Sequence, residues 1–445
     1  MINSFKPNDY YATILADQFD SLKQTLNEPL VVRNQKLSPS PRLAQILIGV
    51  RRAGKSTFLG QTLFEEGYFD RASPFFYLNL IDERLGDLTV AELGRITEVF
   101  TEKYGETHGE KYGETQAWVF DEIQVVPGWE VLIERLTRNP KNRVFITGSS
   151  AKMLSREIAT SMRGRSLASE IFPFSFAEMI KAKKIPAGVS TPQKSARRRL
   201  LKKQLLEGGF PALLTIPKIQ HQKLLQQYFE TLFFRDLVER NEFTDIHLLK
   251  AFVQLLMNQV SSYFSLNKMN ERLIAQGHTS SKVKVAEYLA SVEDCFLAFP
   301  VSLYSPSRQK QNVNPKKVYW IDNGLLLANS GSTFPGIGRL LENFVFLELR
   351  LRGHTLHYFQ DKDGSEVDFV VDQKSLIQVC ERIDDPTTLD REVRGLTAAM
   401  KRFDKKRGLI LTLETEQEIQ SDSKHRIDIM SVAEWAKSKE LAWLE

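Results

Sequence analysis

The stretch "ILIGVRRAGKST", residues 46–57, decides the fold. Ile46, Leu47 and Ile48 read as the end of a buried strand. They run into Gly49, four intervening residues, then Gly54, Lys55 and Ser56, with a helical pattern beginning at Thr57. Strand, glycine loop and helix in that order make a phosphate cradle. The glycines let successive backbone N–H groups curl around an anion, the lysine adds positive charge, and the hydroxyl ligates Mg²⁺. Gly49, Arg52, Ala53, Gly54, Lys55, Ser56 and Thr57 are therefore expected to bind ATP, with Ser56 on the metal.

A second apolar strand, "AWVFDEIQ" (117–124), ends in an acidic pair. Beside a phosphate loop, such a pair divides the work: Asp121 holds Mg²⁺ through water, and Glu122 orients and polarises the attacking water. A third strand, "RVFITGSS" (143–150), ends in hydroxyls, and Ser149 or Ser150 fits a helix N-cap as readily as a catalytic role.

The remaining composition is that of an ordinary globular chain. Its 445 residues suffice for two to four domains, and 42% are hydrophobic and 26% charged. The amino terminus, "MINSFKPNDYYATILADQFD", shows neither a basic leader nor an apolar run, and no stretch is long enough for a membrane span, so a cytoplasmic protein is expected. Cys295 and Cys380 are too few for a disulfide framework, and the seven His are scattered. A net charge of +5 permits a nucleic-acid partner without requiring one.

The segments "GVRRAGKS", "FDEIQ", "ITGSSAKML", "RGRS", "FPFSFAEM" and "GGFP" together resemble the prokaryotic AAA+ ATPases of the archaeal-ATPase type, from about residue 30 to the end. The resemblance implies ATP hydrolysis and a homo-oligomeric ring, expected as a hexamer. It also implies that Ser149 or Thr147 acts as a sensor at the third strand's end. Arg165, or failing it Arg163, is then the finger that reaches a neighbouring subunit's nucleotide, against the plainer reading of two exposed arginines on a turn.

The expected architecture is α/β. An AAA+ core with an amino-terminal helical segment covers 1–180, and a helical lid 181–244. The lid begins at the basic run "KSARRRLLKK" (194–203), whose charges are expected mainly to face water. Over 245–332, three helices and two strands flanking "SPSRQKQNVNPKK" read as a winged helix. Lys282 and Lys284 stand at the start of its third helix and Arg308, Lys310, Lys316 and Lys317 in its wing, a distribution suited to DNA phosphates, although winged helices also bind protein.

Over 333–445, a helix, a three-stranded meander, a helix and a further strand follow the order of a restriction-endonuclease-like core. Glu342 and Asp368 match its acidic positions. Gln378 and Cys380 stand where a second carboxylate and a lysine belong, so this centre is expected to be degenerate. These parts make an ATP-driven DNA-remodelling motor the leading expectation, with branched DNA such as a Holliday junction as its substrate. A nucleotide switch in regulation or defence, acting on protein partners, is the alternative. An ATP-dependent nuclease ranks below both because of Gln378 and Cys380.

Overall fold

The computed structural model describes residues 6–37, 40–71, 75–108, 115–149, 160, 162, 164–331, 333–415, 417–420 and 424–437. The chain divides into two compact units, Met1–Ile171 and Phe172–Glu445.

The first unit is built on a five-stranded, wholly parallel sheet in the order β2-β3-β4-β1-β5. Its strands are β1 (Ala44–Ile48), β2 (Phe76–Asn79), β3 (Gln116–Asp121), β4 (Asn142–Gly148) and β5 (Ser166–Glu170). Every residue of β1 is buried, as a central parallel strand covered on both faces requires. The helix Asn8–Leu26 lays Tyr11, Ile14, Leu15 and Leu22 against the unit. It approaches the helix Lys55–Glu65 so closely that a Cβ at Gly60 would stand 3.0 Å from Leu26.

The second unit holds a three-stranded antiparallel sheet and a six-stranded mixed sheet. The smaller comprises β6 (Ser262–Phe264), β7 (Ala298–Val301) and β8 (Lys316–Trp320) in the order β6-β8-β7. The segment feeding it runs helix Ile246–Met257, β6, helices Leu266–Ala275 and Lys282–Asp294, β7, β8, with a short helix Arg308–Val313 between the last two strands. The larger sheet, ordered β13-β14-β12-β11-β10-β9, comprises β9 (Leu356–Gln360), β10 (Glu366–Val371), β11 (Ser375–Cys380), β12 (Arg407–Thr412), β13 (Gln417–Gln420) and β14 (Arg426–Ser431). The first three form the antiparallel meander, and β11, β12 and β14 run parallel. The helix Pro386–Arg402 covers one face over a core of Val367, Val370, Leu376, Leu396, Met400, Ile410 and Ile427.

The helix Thr191–Glu207, expected to open a lid, belongs to the second unit, and one charge of its basic run departs from the mainly water-facing pattern. Arg197 is fully buried; its Nε donates to Glu434 Oε1 at 2.7 Å, and its Nη1 to the carbonyls of Pro186 and Gly188 at 3.1 and 2.9 Å. Arg197 lies on the helix face of Leu200, Leu201 and Leu205, so desolvation is imposed by the apolar stripe around it. Likewise, "GGFP" packs tightly on a helix start. Gly208 takes φ +86°, where a Cβ would lie 2.2 Å from Asp322 Oδ1, and Asp322 accepts the N–H groups of Gly209 at 2.7 Å and Leu325 at 2.8 Å. Among the described residues no helix is long and apolar enough to cross a membrane.

Candidate active site

The phosphate loop forms as its glycines dictate. Gly49 has φ +149°, and a Cβ there would fall 2.1 Å from the carbonyl oxygen of Ile171, so only glycine lets the loop leave β1 at this point. Gly54, at φ +94°, caps the helix Lys55–Glu65, which places Lys55, Ser56 and Thr57 in its first turn. Ala53 is buried at the turn and Arg52 is exposed with φ +67°.

Lys55 is 5% exposed and its ammonium points back into the loop, donating to the carbonyls of Gly49 at 3.0 Å and Val50 at 3.3 Å. It also stands 3.4 Å from Glu122 Oε1. The other Glu122 oxygen accepts from Gln124 at 2.6 Å, and the Glu122 N–H donates to the Thr147 hydroxyl at 2.9 Å. Glu122 sits in the left-handed region at φ +58°, a local strain held by these contacts. Burial alone would raise its carboxyl; Lys55, Gln124 and Arg51 outweigh that and hold it below the usual carboxylate range.

Asp121 is gripped by the hydroxyls of Thr147, Tyr77 and Ser56. Its burial still pushes its carboxyl upward, because these neutral donors compensate incompletely. A buried carboxylate short of positive charge beside a serine hydroxyl is an all-oxygen donor pair that fits Mg²⁺, which takes few protein ligands and completes its shell with water and phosphate. Ser56 and Asp121 are the residues that would hold it.

Thr147 is fully buried and bridges the acidic pair, while Ser149 lies 3.4 Å from Gln124 Nε2. Gln124, Thr147 and Tyr77 thus organise the site; of these the sequence pointed only to Thr147, as a sensor. Arg165 is paired within its own unit, its Nη1 3.2 Å from Glu134 Oε1. Arg163 and Ser150 lie outside the described residues.

Comparison with known proteins bears on the family and the fold. Residues 41–180 match the family model described as an AAA domain; 198–334 and 337–435 match two domains of unknown function, DUF8612 and DUF4143. An uncharacterized protein of Methanocaldococcus jannaschii is 32% identical over 430 residues, covering 94% of this chain and 93% of the relative. The chain belongs to this family of AAA-type P-loop ATPases. An uncharacterized protein of Haemophilus influenzae is 27% identical to this ATPase, over 77% of it and 84% of the relative. Among solved structures, the Walker-type ATPase of Pyrococcus abyssi covers 74% of the chain and 99% of its own, at 15% identity and a TM-score of 0.42.

The ATPase has a polar cleft, of about 1130 Å³, in its Phe172–Glu445 unit. Its floor corrects one expectation outright. Lys317, expected on an exposed wing, is 3% exposed on β8, and its ammonium meets Asp368 Oδ1 at 2.6 Å, Glu366 Oε1 at 2.6 Å and Glu342 Oε1 at 3.2 Å. Strand alternation turns it to the same face as Tyr319, whose hydroxyl donates to Glu342 at 2.7 Å. The three carboxylates hold Lys317 charged well above its ordinary range despite burial. The register between β9 and β10 shifts between Val367 and Val370, an irregularity spanning Asp368 and Phe369 of the kind that re-aims a side chain.

Gln378 and Cys380 do not rebuild a metal site. Gln378 Oε1 accepts the Asp368 N–H at 3.1 Å and its Nε2 donates to Glu392 at 2.8 Å, so its amide is consumed. The Cys380 thiol donates to the Arg382 carbonyl at 2.9 Å and burial pushes it up to about 11, far from a ligating thiolate at neutral pH. Of the other basic residues, Lys282, Arg308 and Lys310 are exposed and Lys316 is half-buried. Lys284 is 3.4 Å from Asp245.

Proposed function

We propose that the chain hydrolyses ATP with Mg²⁺ as an oligomer, expected to be a hexameric ring, and couples turnover to DNA held by the segment 245–332 read as a winged helix. The observation that carries the reading is the connected network Lys55–Glu122–Asp121–Ser56. It puts phosphate charge, water orientation and metal ligation within one buried cluster. In hydrolysis, Lys55 moves from the loop carbonyls and Glu122 onto the phosphates, which frees Glu122 to face the attacking water, while Thr147 keeps the acidic pair aligned. Mg²⁺ supplies charge neutralisation on the phosphate oxygens when bound. As a finger, Arg165 would have to exchange Glu134 for a neighbour's nucleotide.

For the DNA partner, support comes from the exposed Lys282, Arg308 and Lys310 with Lys316 beside them. With Lys317 buried and Lys284 beside Asp245, three or four phosphates are engaged rather than six, which gives a log–log salt slope of roughly −3 to −4. The test measures hydrolysis and binding with no DNA, duplex, single strand and a four-way junction. Turnover should rise with DNA, most with the junction, and Lys282→Glu with Lys310→Glu should weaken binding while basal hydrolysis stays intact. Hydrolysis indifferent to every DNA would move the reading to a nucleotide switch on a protein partner, which the burial of Lys317 and the pairing of Lys284 with Asp245 also favour.

A further inference from the structure

A restriction-endonuclease-like centre at Glu342 and Asp368 implies a divalent metal, and the residues present do not fit one. Asp368 has both oxygens committed, Oδ1 to Lys317 and Oδ2 to the Val379 N–H at 2.9 Å. Glu342 Oε1 already accepts from Lys317 and Tyr319. Gln378, at the second acidic position, turns its oxygen away to the Asp368 N–H. Among the described residues no group of three or more His, Cys, Asp or Glu is placed to hold a metal ion. The centre of the carboxylates is instead filled by an ammonium.

We infer that Lys317 is a built-in cation that takes the place of a metal in this cleft, gathering Glu342, Glu366 and Asp368 so that the three-stranded sheet is tied to the six-stranded one without any bound ion. The reading of 333–445 as a degenerate nuclease core is its background, but the inference stands on the contacts alone. The ammonium comes from β8 of the smaller sheet, Glu342 from the helix Ile337–Arg350, and Glu366 and Asp368 from β10 of the larger sheet. Three elements far apart in sequence therefore converge on one charge, which is the structural task a metal performs in small sites. Gln378 completes the exchange. A glutamate there would bring a carboxylate against Glu392, whereas the amide answers it at 2.8 Å. An amide suits a centre where one ammonium already faces three carboxyl groups, since a further carboxylate would add to the negative charge in a buried place.

Replacing the lysine by a residue too short to reach leaves three carboxylates without their shared cation, and once Lys317 no longer holds them in place their oxygens can close on a hard divalent ion. The test is carried out on the full chain without nucleotide, with Mn²⁺ as the probe. Wild type should melt at the same temperature in EDTA and in Mn²⁺ as far as the second unit is concerned. Lys317→Ala should melt roughly 10 °C lower in EDTA and regain most of that in Mn²⁺. Adding Asp368→Asn to Lys317→Ala should abolish the recovery, which separates this cleft from the Ser56–Asp121 site. Direct Mn²⁺ titration should show a site in Lys317→Ala at least ~10-fold tighter than any in wild type at this cleft. Should Lys317→Ala fail to fold, wild type and Asp368→Asn decide the matter: identical Mn²⁺ isotherms support the built-in cation. A wild-type site lost in Asp368→Asn, or a Lys317→Ala that folds and neither destabilises nor takes up Mn²⁺, overturns the inference. A failure of the DNA reading leaves all of these results untouched, because no nucleic acid enters the measurement.

Discussion

Glu122→Gln is expected to separate nucleotide binding from turnover in a specific direction. The carboxylate lies 3.4 Å from the Lys55 ammonium, and at an effective dielectric of about 20 a pair at that separation gains about 5 kcal/mol. Desolvation of two buried ions offsets most of that gain, leaving ~1–2 kcal/mol that incoming phosphates must compete against. The glutamine keeps the volume and still faces Gln124 and Lys55 but gives up the charge, so ATP should bind ~5–30-fold tighter. Hydrolysis should fall by ~10²–10⁴, the usual contribution of a positioned base. A fluorescent ATP analogue titrated with Mg²⁺, beside Lys55→Ala as a non-binding control, reads the first effect, and single-turnover phosphate release reads the second. Weaker nucleotide binding in Glu122→Gln would refute the competition for Lys55. Turnover within about threefold of wild type, far short of a base's usual contribution, would refute the assignment of Glu122 altogether.

Two further outcomes follow from packing. Arg197→Met should destabilise the second unit by ~3–5 kcal/mol by leaving Glu434 buried without its main partner, and Glu434→Gln added to it should return a large part of the loss; equal urea midpoints for the single and double variants would show that the two are not coupled. Gly49→Ala should lower the melting temperature of the first unit and weaken ATP binding, by about 2 kcal/mol or more, because the Ile171 carbonyl occupies the space a Cβ needs; a variant that melts like wild type would sink that account.

How much of this could be read beforehand depends on how local each signal is. The phosphate loop and the acidic pair are each contiguous, so strand, turn and helix propensities agree over a dozen residues and the chemistry sits at their junctions. Lys317 was misplaced because its partners, Glu342, Glu366 and Asp368, lie 25 to 51 residues on, and a lysine after Pro315 and Lys316 looks like part of a charged loop. Strand parity was the available signal: Lys317 alternates with Tyr319 and so faces inward if Tyr319 does. Arg197 departs from its basic run for a related reason. Its basic neighbours suggested water, whereas its spacing from Leu200, Leu201 and Leu205 puts it on the apolar face. The helix Phe176–Ala182 falls in the second compact unit, where a residue remote in sequence, Glu348, accepts the Phe176 N–H at 2.7 Å.

The partnership of Arg197 with Glu434 also sets an order of events during synthesis. The two are separated by 237 residues, so at about 5–20 residues per second the arginine waits roughly 12–50 s for its counter-ion to leave the ribosome. Throughout that time the helix around it has an apolar face with nothing to cover it. Gly209 waits for Asp322 and Phe176 for Glu348 over shorter spans of the same kind. The sheet of the first unit, by contrast, is complete once Glu170 has emerged. The nascent chain therefore carries a finished nucleotide site ahead of an unfinished remainder, and the short helix Val432–Trp435, arriving among the last described residues, is what closes the second unit around residues made long before it.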